Sequence, residues 1–165
     1  MMITLTGFMG SGKTTVGKVL ADFLGCPFMD LDDLVVKKAG KSIPDIFAQD
    51  GEPAFRQLEA QVLRKTVDKY AESTAVLALG GGAVLAPASA ALLHEKTVCI
   101  YLRATIDTLL ARLAGETAGR PLADASIADR LASREPIYEE TAHVIIDTDG
   151  LSPDEVADEI IISAL

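Results

Sequence analysis

The sequence predicts an α/β fold, a parallel sheet covered by helices on both faces. Three observations predict it. Short apolar, β-branched runs alternate with longer segments whose apolar residues recur at helical spacing. The first such run leads directly into a glycine-rich loop and then a helix. The chain has 165 residues and no internal repeat or low-complexity linker, which suits one domain over residues 1–165 built on one core.

The elements follow in order. Met2–Thr6 is a β-branched apolar run that stops at Gly7, so it reads as a strand. Residues 14–24 place Val16, Val19, Leu20, Phe23 and Leu24 on one helical face. Phe28–Asp30 is a short second strand, and Leu31–Ala39 a helix that Gly40 ends. Residues 55–70 repeat Leu58, Val62, Leu63 and Val67 and form a long helix. Residues 74–79 are a third strand running into Gly80, Gly81 and Gly82, and Pro87 opens a short helix. Residues 97–102 are a fourth strand, and Thr105 caps a helix through Leu113. A polar stretch with glycines spans 115–124, and Ser126 caps a helix to about Tyr138. Val144–Asp147 is the last strand. Ser152, Pro153 and Glu155 form a capping box with proline at the first helical position, so the described pattern ends in a helix.

Composition narrows the function classes. Apolar residues make up 49% and charged residues 24%, an ordinary balance for a soluble globular chain. The net charge of −9 repels nucleic acid and anionic membrane over most of the surface. No signal peptide is visible at MMITLTGFMG, and the longest apolar stretch, 83–93, is too short to span a bilayer and contains Pro87. Cys26 and Cys99 lack metal-binding spacing and read as free thiols of a reducing cytoplasm. An anionic substrate of so acidic a chain must meet a local cluster of arginine and lysine, so individual arginines become informative.

The strongest signal is Gly7-Phe8-Met9-Gly10-Ser11-Gly12-Lys13-Thr14. It satisfies G-x4-G-K-[ST] between a strand and a helix, the context that gives this phosphate-binding loop its meaning. Its glycines let backbone N–H groups converge on phosphate oxygens, and the helix N-terminus adds a favourable dipole. Lys13 is expected to reach the β- and γ-phosphates and Thr14 to ligate Mg²⁺. The motif specifies nucleotide binding. The guanine-reading N-K-x-D motif is absent and 165 residues leave no room for a motor's partner domains, which favours a small-molecule kinase.

Ligands of such sheets bind at the carboxyl ends of the strands, which places the segments after Thr6, Phe28, Leu79 and Leu102 around one site. Asp30 and Asp32 sit there at i and i+2, pointing the same way if the chain stays extended. One can support Mg²⁺ and the other orient an acceptor hydroxyl, or Asp30, Asp32 and Asp33 simply begin a helix. Arg56, Arg120 and Arg134 are either solvated charges or guanidinium groups for a small carboxylate. Gly80, Gly81 and Gly82 mark a close backbone approach to a ligand or a flexible turn.

Taken in order, Gly7 to Thr14, Asp30-Leu31-Asp32, Phe55-Arg56 with Glu59, Gly80-Gly81-Gly82, Arg120-Pro121-Leu122 and Arg134-Glu135-Pro136-Ile137-Tyr138 resemble the shikimate kinase family over essentially the whole chain. The resemblance implies a three-layer αβα P-loop NTPase fold with a five-stranded parallel sheet in the order 2-3-1-4-5. It implies transfer of the ATP γ-phosphate, with Mg²⁺, to the 3-hydroxyl of shikimate, a step towards chorismate and the aromatic amino acids.

By the same resemblance Asp32 is the candidate base at the accepting hydroxyl, with Lys13 and Arg120 as the other catalytic residues. Gly10, Ser11, Gly12, Lys13, Thr14, Thr15, Arg112, Arg120 and Pro153 hold the nucleotide, with Arg112 and the segment near Pro153 at adenine. Thr14 and Asp30 serve Mg²⁺, Asp30 through water. Arg56 and Arg134 take the shikimate carboxylate beside Gly80, Gly81 and Gly82, Phe47 and Phe55 wall the pocket, and Glu59 orients Arg56. A lid is expected at about 113–125. The lid lacks the lysines common in the family and leaves Arg120 as its cation. Arg103 has no assigned role. The expected partner is shikimate, with no nucleic acid and no membrane, for a cytoplasmic monomer. Gluconate kinase, a nucleoside monophosphate kinase and a non-catalytic nucleotide-binding module are the rival readings.

Overall fold

The computed structural model describes residues 1–116 and 125–165. Five strands, β1 (Met2–Thr6), β2 (Phe28–Asp30), β3 (Ala75–Ala78), β4 (Val98–Arg103) and β5 (Val144–Asp147), form one sheet. All pairings are parallel and the order is β2-β3-β1-β4-β5, as the family resemblance implied. Eight helices are described: α1 (Lys13–Leu24), α2 (Leu31–Ala39), α3 (Ile43–Asp50), α4 (Glu52–Lys69), α5 (Pro87–Lys96), α6 (Ile106–Glu116), α7 (Ala125–Thr141) and α8 (Pro153–Ala164). A 3₁₀ turn at Ala83–Leu85 joins β3 to α5.

The period-two alternation of side chains along buried strands sorts the core into two layers. Ile3, Leu5, Val76, Ile100 and Leu102 pack with Val16 and Leu20 of α1 and Val156 and Ile160 of α8. Their neighbours Met2, Leu77, Cys99 and Tyr101 face the other way, against Leu63 and Val67 of α4, Leu93 of α5 and Tyr138 of α7. Burial on both faces explains why these strands read as continuous apolar runs.

Several boundaries differ from those the sequence predicts. The helix α3 was not anticipated. Ser42 accepts the Asp45 N–H at 3.2 Å and Pro44 sits in the first turn, so local capping holds this short helix against α4. The helix α4 begins at Glu52, three residues before the expected start, because Pro53 fits its first turn; Arg56 therefore lies in the second turn. The helix α6 continues through Glu116, so the start of the expected polar stretch is helical. Ser126 stands inside α7, which begins at Ala125 and runs to Thr141. The capping box of α8 is as expected, with Glu155 N–H on Ser152 Oγ at 3.2 Å and Ser152 N–H on Glu155 Oε2 at 2.7 Å.

Candidate active site

The phosphate loop joins β1 to α1, and its backbone explains its glycines. Gly7, Gly10 and Gly12 all have positive φ. A Cβ at Gly7 would stand 2.7 Å from the Leu102 carbonyl oxygen and 2.8 Å from Ser11 Oγ. Ser11 is buried, and its hydroxyl has no hydrogen-bond partner among the described residues. An orphaned buried hydroxyl within a loop of converging N–H groups fits a phosphate oxygen.

Lys13 Nζ donates to the carbonyl oxygens of Gly7 at 2.7 Å and Phe8 at 3.0 Å, folding back over the loop. Burial pushes its pKa down to about 8, against the opposing pull of Asp32 and Asp30. A further anion beside the ammonium would push that value back up.

Asp30 and Asp32 come together, but not by strand extension. Asp30 is the N-cap of α2, and its Oδ1 accepts the Asp32 N–H at 2.9 Å. The helix begins at Leu31, so the helix-start reading of these acids is realised, and Asp32 also lines a cavity. Asp30 Oδ2 accepts from Thr14 Oγ1 at 3.0 Å. This all-oxygen pair suits Mg²⁺, which keeps few protein ligands and takes the rest from phosphates and water. Among the described residues no group of three or more His, Cys, Asp or Glu is placed to hold a metal by itself. Asp32 is pushed above the usual carboxylate range, first by burial and then by the neighbouring Asp30, with Lys13 opposing.

Asp32, Phe47, Phe55, Arg56, Glu59 and Arg134 line one open cavity of about 320 Å³, floored by the glycine triplet. Arg56 Nη1 donates to Glu59 Oε1 at 2.9 Å. Glu59 is buried, which raises its pKa, and the Arg56 hydrogen bond opposes that rise. The Phe47 and Phe55 rings lie 4.9 Å apart, and Arg56 stacks on Phe55 at 5.1 Å. Arg134 lies over Phe8, 5.8 Å from the ring centroid.

The glycine triplet is a place of close approach. A Cβ at Gly80 would come within 3.0 Å of Asp32 Oδ1, one at Gly81 within 3.5 Å of Arg134 Nη1, and one at Gly82 within 2.4 Å of Arg56 Nη2. Polar side chains of the cavity lie over every one of these glycines, with Glu59 Oε2 also 3.3 Å from the Gly80 Cβ position. Tyr138, buried in α7, donates its hydroxyl to the Gly81 carbonyl at 2.5 Å and so ties the helix carrying Arg134 to this turn.

A second cavity, of about 160 Å³, lies across the phosphate loop and is lined by Gly10, Ser11, Gly12, Thr15, Arg112 and Pro153, among others. Arg112 Nη1 donates to Gly10 O and Ser11 O at 3.3 Å each, and its Nη2 to Thr148 O at 3.1 Å. Thr148 was not singled out from the sequence; only the fold brings it to Arg112.

Arg103, without an assigned role in the sequence, makes a two-point pair with Asp147, Nε to Oδ1 at 2.6 Å and Nη2 to Oδ2 at 3.0 Å. The parallel register sets Arg103 opposite Asp147, so this arginine fastens the edge strand β5. Arg120 and positions 117–124 of the expected lid lie outside the described residues. Arg130, missed in the sequence, also lines the larger cavity. Its signal was the four-residue spacing from Arg134, which puts both on one helical face.

A family profile described as shikimate kinase matches residues 9–164. A shikimate kinase of Enterococcus faecalis is 44% identical, covering 96% of this chain and 95% of that protein. The solved structure of a shikimate kinase from Acinetobacter baumannii in complex with shikimate is 34% identical, with a TM-score of 0.84, covering 97% of this chain and 90% of that one. A shikimate kinase structure from Aquifex aeolicus gives a TM-score of 0.87 at 33% identity, covering 99% and 95%.

Proposed function

Because the chain belongs to the shikimate kinase family, it is an ATP-dependent kinase that phosphorylates shikimate, and we propose how its residues divide that work. The observation that carries the proposal is the convergence of Asp32, Arg56 and Arg134 over three successive glycines at one cavity. Arg56 and Arg134 hold the shikimate carboxylate, because guanidinium groups offer the planar two-point contact a carboxylate accepts. Gly80, Gly81 and Gly82 leave room for these side chains, and Phe47 and Phe55 present apolar surface to the ring. Glu59 holds the Arg56 guanidinium in place.

The 3-hydroxyl then faces Asp32. Its raised pKa makes Asp32 a better proton acceptor than an exposed carboxylate, and the proton of the attacking hydroxyl passes to it. Lys13 and the N–H groups of Gly10, Ser11 and Gly12 hold the phosphates, while Thr15, Arg112 and Pro153 line the nucleotide end. Thr14 and Asp30 would hold Mg²⁺, which would supply charge neutralisation at the phosphates when bound. Arg120 enters on its sequence position alone, as a cation for the charge that develops during transfer.

The acidic surface, with net charge −9, supports a partner set of small molecules without nucleic acid or anionic membrane. Among the described residues no helix is long and apolar enough to cross a membrane. A cytoplasmic monomer is the accompanying proposal. The test is ADP release from Mg-ATP with shikimate, gluconate or AMP supplied in turn. Release with shikimate well above the other two is expected. Turnover of gluconate without turnover of shikimate overturns the assignment.

A further inference from the structure

Among the described residues, the cavity proposed for shikimate is lined by three guanidinium groups, Arg56, Arg130 and Arg134, and by two carboxylates, Asp32 and Glu59. Arg56 is matched by Glu59 at 2.9 Å. Arg134 is engaged with the Phe8 ring and with Tyr138. No ion pair among the described residues engages Arg130, which is exposed one turn away from Arg134 on α7. Without Arg130 the described residues of the lining would carry equal numbers of cationic and anionic side chains, on a protein whose net charge is −9.

We propose that Arg130 is a steering residue: it supplies the excess positive charge that draws the anionic acceptor into a cavity set in an acidic surface. The inference rests on shikimate being the acceptor, and it adds a residue to that reading rather than restating it. A charge acting at a distance requires sign, not shape. Lysine in its place therefore preserves the function, whereas the contacts made by Arg56 and Arg134 depend on the guanidinium plane. Steering is also screened by salt. The Debye length is about 30 Å at 0.01 M ionic strength and about 3 Å at 1 M, so the contribution of Arg130 fades across that range. A charge at a rim acts mainly on capture of the ligand and on its salt dependence.

The experiment measures kcat/KM for shikimate from about 0.01 M to about 1 M salt in the wild type and in Arg130→Ala, Arg130→Lys and Arg130→Glu. At low salt Arg130→Ala is expected to lose roughly threefold to tenfold in kcat/KM, one charge's share of the roughly 10–10³-fold that a whole charged cleft supplies. Arg130→Glu should lose more, Arg130→Lys little, and the curves should converge at high salt, with the change in KM for ATP small throughout. Equal loss in Arg130→Lys and Arg130→Ala, or a loss that persists at high salt, would assign Arg130 a direct contact or a structural role and overturn steering. Wild-type kcat/KM for Arg130→Ala at low salt would overturn it as well. Absence of shikimate turnover in the wild type is a separate outcome, since it strikes the acceptor assignment itself.

Discussion

The Arg56 guanidinium and the Glu59 carboxylate, three residues apart on α4, pair at 2.9 Å at the wall of the cavity that Asp32 and Arg134 also line. Glu59 is buried and both side chains line the cavity, so the carboxylate holds the guanidinium from one side. Arg56→Lys is expected to raise KM for shikimate strongly, because losing one partner of a buried charged contact costs about 2–5 kcal/mol. Glu59→Gln, which keeps an acceptor oxygen, should be milder than Glu59→Ala. KM for shikimate against KM for ATP is the measurement. A larger change in the ATP value would move Arg56 to the nucleotide side.

Asp32 and Asp30 differ in their partners, and that difference predicts different defects. Asp30 holds Thr14 Oγ1 and the Asp32 N–H, whereas Asp32 faces the cavity. Asp32→Asn should lower kcat by about 10²-fold or more, the scale of a positioned acid–base group, with little change in ATP affinity. Asp30→Asn should shift the Mg²⁺ dependence instead. Steady-state kinetics at varied Mg²⁺ distinguish the two, and near-normal kcat in Asp32→Asn would exchange their roles.

Lys13 predicts a pH effect. Its pKa in the free protein is about 8 because burial disfavours the ammonium. Bound phosphate oxygens favour the ammonium and raise that value, so above about pH 8 nucleotide binding takes up a proton and affinity falls as pH rises. Folding of the free protein follows the opposite trend. An unfolded lysine titrates near 10.4, so between about 8 and 10.4 the unfolded chain binds more protons and this group adds stability as pH rises. Calorimetric titration with ADP in buffers of different ionisation enthalpy reads the proton uptake directly. Affinity that stays flat through about pH 9 would mean that Lys13 is not at the phosphates.

Much of this site was legible in the sequence because the phosphate loop is local. Its glycines, Lys13 and Thr14 occupy eight consecutive residues, and strand and helix flank them as the motif requires. The alternation of elements and a sheet covered on both faces followed from periodicity, although Phe23 of the α1 pattern is exposed. What stayed hidden depends on distant pairing. Arg103 finds Asp147 only through the register of β4 and β5, and Arg112 finds Thr148 only after the sheet is ordered. The triplet at 80–82 left two readings open, since only the fold shows which side chains lie over it. The α3 helix was readable from Ser42, Pro44 and Asp45, a local signal that the sequence analysis passed over.

Gly82 offers a test of that crowding. A Cβ there would meet the Arg56 guanidinium at 2.4–2.6 Å, at the far end of a flexible side chain. Gly82→Ala should therefore leave the melting temperature nearly unchanged while Arg56 swings aside and KM for shikimate rises about tenfold or more, the ratio that ~1.4 kcal/mol of lost binding produces. A large fall in melting temperature with unchanged KM would indicate that the turn's backbone, not Arg56, sets the need for glycine.

The two cavities share no lining residue: one is bounded by Arg112 and Pro153, the other by Asp32, Arg56 and Arg134, with the phosphate loop between them. An inhibitor shaped for the second would need only a compact anionic ring and nothing that imitates adenine or a triphosphate. Because the loop motif is common to many unrelated nucleotide-binding proteins and the arginine-over-glycine arrangement is not part of it, such a compound would gain selectivity from the half of the enzyme that those proteins do not possess.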